Sequence, residues 1–248
     1  MKALGDSLEE FLQAHEDSRK PLAVVLAGHN GSGKSTMWSE RLAPRLEIPL
    51  INADRMMMSI LPELSPGGSL PAWATTLRDT NANWMAVAQK GVEGFVAQAM
   101  ARQVPFAIET VFSHLRERQD GTIESKVDQI RQMQAAGYFV VLFFVGLSSP
   151  QLSVARVQTR VAKGGHDVPL EKLHERFPRT QQAIQLAIDV ADCAILADNS
   201  RTPDEAFSVC HIRLAGRAIF DSREGTGSVP SEIAAWLDVV CPDMPRMA

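Results

Sequence analysis

Gly28-His29-Asn30-Gly31-Ser32-Gly33-Lys34-Ser35 (GHNGSGKS) follows the apolar run PLAVVLA of residues 21–27 and precedes a segment, 34–46, that reads as a helix. This is a complete G-x-x-x-x-G-K-S motif between a strand and a helix, the context that gives the motif its meaning. Small residues let the backbone curl so that successive N–H groups point at phosphate oxygens. The helix that follows adds its positive N-terminal end. Lys34 then supplies a point charge for the β- and γ-phosphates, and the Ser35 hydroxyl is placed to ligate Mg²⁺. Gly28, Asn30, Gly31, Ser32, Gly33, Lys34, Ser35 and Thr36 form the expected nucleotide-binding set.

Outward from this loop, apolar runs alternate with helical patterns. Strands are expected at 50–52 (LIN), 105–110 (PFAIET), 138–146 (YFVVLFFVG) and 193–198 (CAILAD). Helices are expected at 6–17 with Asp6 as N-cap, at 122–136 with Ile123, Val127, Ile130 and Met133 on one face and Gly137 as cap, at 150–162, at 169–190 with a bend before Pro178, and near 230–238. Residues 53–102 read as helix-rich, broken at Pro62 and Pro66-Gly67-Gly68, and 62–103 as a helical excursion beside the sheet in which Trp73 and Trp84 are packing anchors. AFSVCHIRLAGRAIF (206–220) reads as a β-hairpin turning at Ala215-Gly216. Alternating strands and helices predict an α/β fold, a doubly wound and mostly parallel sheet with covered faces. We expect one domain over residues 1–248, with its core at about 22–200 and a lid at about 150–190.

Composition narrows the function. The 248 residues carry a net charge of −4, so no bulk basic field exists to hold a nucleic-acid backbone. The longest apolar run, Tyr138 to Leu147, is half of what a membrane span needs. The segment MKALGDSLEEFLQ lacks the pattern of a secretory signal. Three cysteines, Cys193, Cys210 and Cys241, show no C-x-x-C spacing and suit a reducing compartment. The expected setting is the cytoplasm, with neither membrane nor nucleic acid as a partner.

Within phosphate-loop proteins, the absence of N-K-x-D and LSGGQ segments disfavours GTPases and transport ATPases. A kinase remains. Asp54, just past the second strand, can accept the proton of an attacking hydroxyl, or can cap the helix behind it. Glu109, at the end of the third strand, can bind substrate hydroxyls or a water on Mg²⁺, with Thr110 beside it. Arg156 and Arg160 share a helix face, and Gly164-Gly165 gives a hinge before Arg176 and Arg179. That arrangement describes a lid carrying guanidinium groups to the transferring phosphoryl group. His166 and Asp167 are expected to cap the next helix. Asn199, after the fifth strand, is placed for adenine contact. His29 is assigned no chemistry.

The stretches AGHNGSGKST (27–36), INAD (51–54), FAIET (106–110), VGLSSPQLSVARV (145–157), RVAKGGHDVP (160–169), ERFPRT (175–180) and DNS (198–200) resemble the zeta-toxin family of P-loop kinases, especially its chromosomal zeta-like branch. The resemblance implies an α/β kinase fold using ATP and Mg²⁺, and phosphorylation of a nucleotide sugar such as UDP-N-acetylglucosamine. It also implies control by a separately encoded small helical antitoxin. By the same resemblance, Lys34 is the phosphate-loop lysine, Asp54 the catalytic base and Glu109 the acidic residue on the substrate side. Arg160 and Arg176 match the two phosphate-stabilising arginines. VFSHLRER (111–118) departs from the family's glycine-rich continuation. Another nucleotide-like metabolite, such as a dinucleotide cofactor, therefore stands as an alternative acceptor, and a nucleotide-binding regulatory module as an alternative role.

Overall fold

The computed structural model describes residues 1–63, 69–165, 167–224 and 229–242. Its sheet is built from β1 (Leu22–Gly28), β2 (Leu50–Ile51), β3 (Phe106–Thr110), β6 (Phe139–Gly146), β7 (Cys193–Asp198), β8 (Ser208–Leu214) and β9 (Arg217–Asp221). The spatial order is β2-β3-β1-β6-β7-β8-β9. The first five strands are parallel, and β8 and β9 continue the sheet antiparallel as the expected hairpin. All seven residues of β1 and all eight of β6 are buried, which is why these strands read as unbroken apolar runs rather than alternations.

Helices cover both faces. On one side α1 (Leu4–Ser18) and the helix after the phosphate loop pack Leu8, Phe11, Met37, Trp38 and Leu42 against Val24, Leu26, Val141 and Phe143. On the other side α6 (Ala82–Arg102), α7 (Val127–Ala135), α9 (Leu170–Ile188) and α10 (Ser231–Val240) cover Ala23, Val25, Val140, Leu142 and Phe144. The excursion consists of α4 (Ala53–Ser59), α5 (Ala72–Asp79) and α6, with Met57, Leu61, Ala74 and Ala88 as its own small core. No helix among the described residues is long and apolar enough to cross a membrane.

Several local expectations are corrected. The helix after the loop is α2 (Lys34–Met37) and α3 (Ala43–Leu46) joined by a π-helical turn, Trp38–Leu42. The cap of α1 is Ala3, not Asp6, which lies in the first turn. A small hairpin, β4 (Leu115–Glu117) with β5 (Ile123–Ser125), was not expected, and it moves Ile123 off the α7 face. Arg179 helps hold this hairpin by donating to the Leu115 carbonyl at 3.0 Å. Trp73 and Trp84 are 57% and 39% exposed and lie outside the small core, to which α5 and α6 contribute Ala74 and Ala88 instead. The second half of α9, from Thr180 to Ile188, is core rather than lid.

Candidate active site

The phosphate loop is clamped from three sides. Gly33 has φ +89°, and a Cβ there would stand 2.6 Å from Asn199 Nδ2, so backbone and neighbour both require glycine. The Asn199 amide donates to the Ser32 carbonyl at 2.8 Å. Asn199 therefore braces the loop, a role different from the adenine contact expected of it. On the opposite side Ser153, on α8 (Pro150–Ala162), donates to the Asn30 carbonyl at 2.7 Å. Lys34 is buried, and its Nζ donates to the carbonyls of Gly28 and His29 at 3.0 Å each. Burial pushes its pKa below the ordinary lysine value; Glu109 opposes that shift, Arg160 adds to it, and Asp54 opposes it. Lys34, Glu109, Arg160 and Asp54 thus form one electrostatic cluster.

Sheet register explains the cluster. Leu26 of β1 lies beside Glu109, and Ile51 of β2 beside Ile108, so Asn52 and Glu109 emerge together at the C-terminal edge. Asn52 Nδ2 donates to Glu109 at 2.8 Å, and the Ser35 hydroxyl donates to both Glu109 oxygens at 3.1 and 3.2 Å. Glu109 is thereby tied both to the phosphate loop and to the end of β2. Asn52 also caps α4 by accepting from Arg55 N at 3.1 Å. Asp54 is therefore not the cap. It lies exposed in the first turn of α4, and no hydrogen bond from the described residues engages its carboxylate. Thr110 is occupied locally, accepting from Phe112 N at 3.1 Å.

Arg160 lies in the last turn of α8, before a tight exit in which Gly165 N donates back to the Arg160 carbonyl at 3.0 Å. A Cβ at Gly165 would meet Arg160 Cγ at 2.5 Å, so this glycine is fixed by close approach. Arg176 borders the loop beside His29, Asn30 and Ser153. Arg156 also reaches the loop, since a Cβ at Gly31 would lie 3.1 Å from Arg156 Cβ. Arg179 instead pairs with Glu175 on its own helix. Asp167 accepts from Val168 N at 2.7 Å, and α9 starts at Pro169 without a side-chain cap. His166 lies outside the described residues.

His29 is the residue that sequence reasoning passed over. Its ring stacks on Phe177 of α9, with centroids 3.8 Å apart and planes 11° apart, and it is 1% exposed. Burial, reinforced by Lys34, pushes its pKa down from 6.5 to about 3, so it is a neutral aromatic joint between the phosphate loop and α9. The unfolded chain takes up a proton here below about pH 6.5 and the folded chain does not until about pH 3, so stability falls as pH drops through that window. From pH 7 to 5 the wild type should lose up to about 2 kcal/mol more than His29→Phe, which keeps the stack. Urea unfolding at both pH values measures the difference, and equal losses would refute the neutral-histidine assignment.

With this geometry in view, the comparisons with known proteins are direct. A toxin structure from the PezAT chromosomal toxin–antitoxin system of Streptococcus pneumoniae superimposes with a TM-score of 0.53 at 14% identity, covering 98% of this chain and 88% of that one. The AvrRxo1-ORF1:AvrRxo1-ORF2 complex with sulphate ions gives 0.60 at 14% identity, covering 97% and 73%, and the same complex with ATP gives 0.58. At such identity these likenesses show the fold alone. An uncharacterized protein of Haemophilus influenzae is 25% identical over 155 residues, 62% of this chain and 91% of its own length. The zeta toxin family matches residues 6–202, which contain the phosphate loop, Asp54, Glu109 and all the arginines of α8 and α9, and the chain belongs to that family.

Proposed function

We propose that the protein transfers the γ-phosphate of ATP to a hydroxyl of a small nucleotide-like molecule, with a nucleotide sugar such as UDP-N-acetylglucosamine as the first acceptor to test. The observation that carries this reading is the exposed Asp54 carboxylate, unengaged by hydrogen bonds from the described residues and within electrostatic reach of the buried Lys34 ammonium. A protein that only binds nucleotide has no use for such a base. In the transfer, the acceptor oxygen bonds to the γ-phosphorus as the bond to the β-bridging oxygen breaks. ADP leaves, and the hydroxyl proton passes to Asp54.

The donor set also suits magnesium. Mg²⁺ is usually held by one or two protein oxygens, with phosphate and water completing the shell. The Ser35 hydroxyl and the Glu109 carboxylate, already paired and opening onto the loop, would hold it. When bound, the ion neutralises charge on the phosphates. In this reading Arg160, which acts electrostatically on Lys34, and Arg176, which borders the phosphate loop, are carried by the part of the lid before Thr180, and the rest of α9 belongs to the core. A separately encoded antitoxin covering this edge belongs to the same reading.

Incubation with ATP, Mg²⁺ and a panel of nucleotide sugars and dinucleotides tests the proposal; a product heavier by one phosphate is the expected result. No phosphorylated acceptor from a protein that binds ATP would count against it. Arg160→Ala should lower kcat by about 10²-fold while raising KM for ATP less, as expected of a donor acting mainly in the transition state. Arg160→Lys should rescue poorly, because an ammonium lacks the planar paired donors. Arg179, held by Glu175 and the Leu115 carbonyl, is the control. Arg179→Ala should lower melting temperature without changing kcat, and an equal kcat loss in both alanine variants would remove Arg160 from the chemistry.

A further inference from the structure

Beside Asp54 lies a pocket of about 250 Å³ between α4, α6 and the hinge at Gly165. Its size is just below the roughly 300–1,000 Å³ of sites that enclose a whole drug-sized ligand, so it suits one compact group. Its described walls are largely thioether and methyl, from Met57, Met58, Met85, Ala53 and Ala88, with the Gln89 amide as a neutral polar group among them. The cation in the wall is already neutralised. Arg78 Nε and Nη2 donate to the two carboxylate oxygens of Asp79 at 2.6 and 2.9 Å, and Nη1 reaches the Gly164 carbonyl at 3.4 Å. Arg78 thus ties α5 to the lid hinge and offers little to a further anion. Three unbranched, polarizable methionines adapt to ring edges and branched alkyl groups. Hydroxyls pushed against the three methionines would exchange water for thioether sulfurs, which are weak acceptors.

We propose that the acceptor alcohol carries a compact, uncharged apolar or aromatic group next to its reacting hydroxyl. That group seats among Met57, Met58 and Met85, while the polar and anionic remainder of the molecule stays outside. The proposal rests on the kinase reading for the role of Asp54. An acyl-bearing sugar or a nucleoside base brings such a group, and a sugar without either does not.

The test reads the pocket without turnover. The full chain with ¹³C-methyl methionine, saturated with ADP and Mg²⁺, is titrated with benzyl alcohol and separately with glycerol. Of the ten methionines, the methyl signals of Met57, Met58 and Met85 should move saturably with benzyl alcohol, at a Kd at least about 10-fold below that for glycerol. Met85→Gln, at a site 41% exposed and so tolerant of a polar side chain, should weaken benzyl alcohol by about 10-fold and leave glycerol unaffected. Equal binding of the two alcohols, or shifts confined to other methionines, would overturn the proposal. If the pocket passes and Asp54→Asn leaves turnover intact, the kinase reading fails alone; if turnover needs Asp54 and the pocket prefers glycerol, only the pocket assignment fails.

Discussion

Lys34→Ala should lower phosphoryl transfer by at least about 10³-fold while leaving the melting temperature unchanged or raised. The two halves have separate causes. The ammonium is buried and its pKa is depressed by that burial, so the folded chain holds it against a desolvation cost that alanine removes. Its two acceptors are the backbone carbonyls of Gly28 and His29, and the loop keeps its other braces through Asn199 and Ser153. With the triphosphate bound, the same desolvated charge faces phosphate oxygens in a low-dielectric loop, where electrostatic stabilisation is largest. The nucleotide contribution to stability should fall too. Ligand at 100 times its Kd stabilises by about 2.7 kcal/mol, and Lys34→Ala should show little of that ATP-dependent shift in a thermal melt. Turnover near wild type in a folded variant would remove Lys34 from the chemistry.

Much of this site was legible because strand ends at one sheet edge are legible. Glu109 closes one apolar run and Asp54 follows another by three positions, Ser35 completes the phosphate motif, and parallel register brings the strand ends to one edge. The division of labour among them was not legible. Asn52 and Asp54 stand two apart after the same strand, and either could cap α4; only the observed Arg55 N to Asn52 Oδ1 bond frees Asp54. Glu109 is joined to Ser35 by a hydrogen bond spanning 74 residues, which no local pattern encodes. His29 occupies a variable position of the loop motif, and its stack depends on Phe177 arriving from a helix 148 residues later in the chain, so nothing near it signalled a role. The short β4–β5 hairpin escaped for a different reason. Its strands have three residues each, too few for alternation to show, and Ile123 fitted the helical spacing of α7 by coincidence. The methionine pocket was equally hidden, because Met57 and Met58 come from α4 and Met85 from α6 across a proline- and glycine-containing break.

Asp54→Asn should keep ATP binding and lower turnover by about 10²–10⁴-fold, the usual worth of a positioned general base. Asparagine keeps the size and the hydrogen-bonding reach of the side chain but cannot take the acceptor proton. The structural cost should be small. Asp54 is exposed, and Asn52 makes the cap of α4. What asparagine removes from the fold is a negative charge in the first helical turn, worth about 0.3–1 kcal/mol. Asn52→Ala is the matched contrast. It removes both the cap to Arg55 N and the donor to Glu109, so it should cost about 1 kcal/mol of stability. Turnover, unfolding free energy and the ATP-induced melting shift, measured on both variants, separate the roles. If Asp54→Asn loses ATP affinity and rate in equal measure, Asp54 acts on the nucleotide through the charge it shares with Lys34. If turnover is unchanged, the carboxylate at the mouth of the methionine pocket is a helix-end charge, and the base must be sought elsewhere on the same sheet edge.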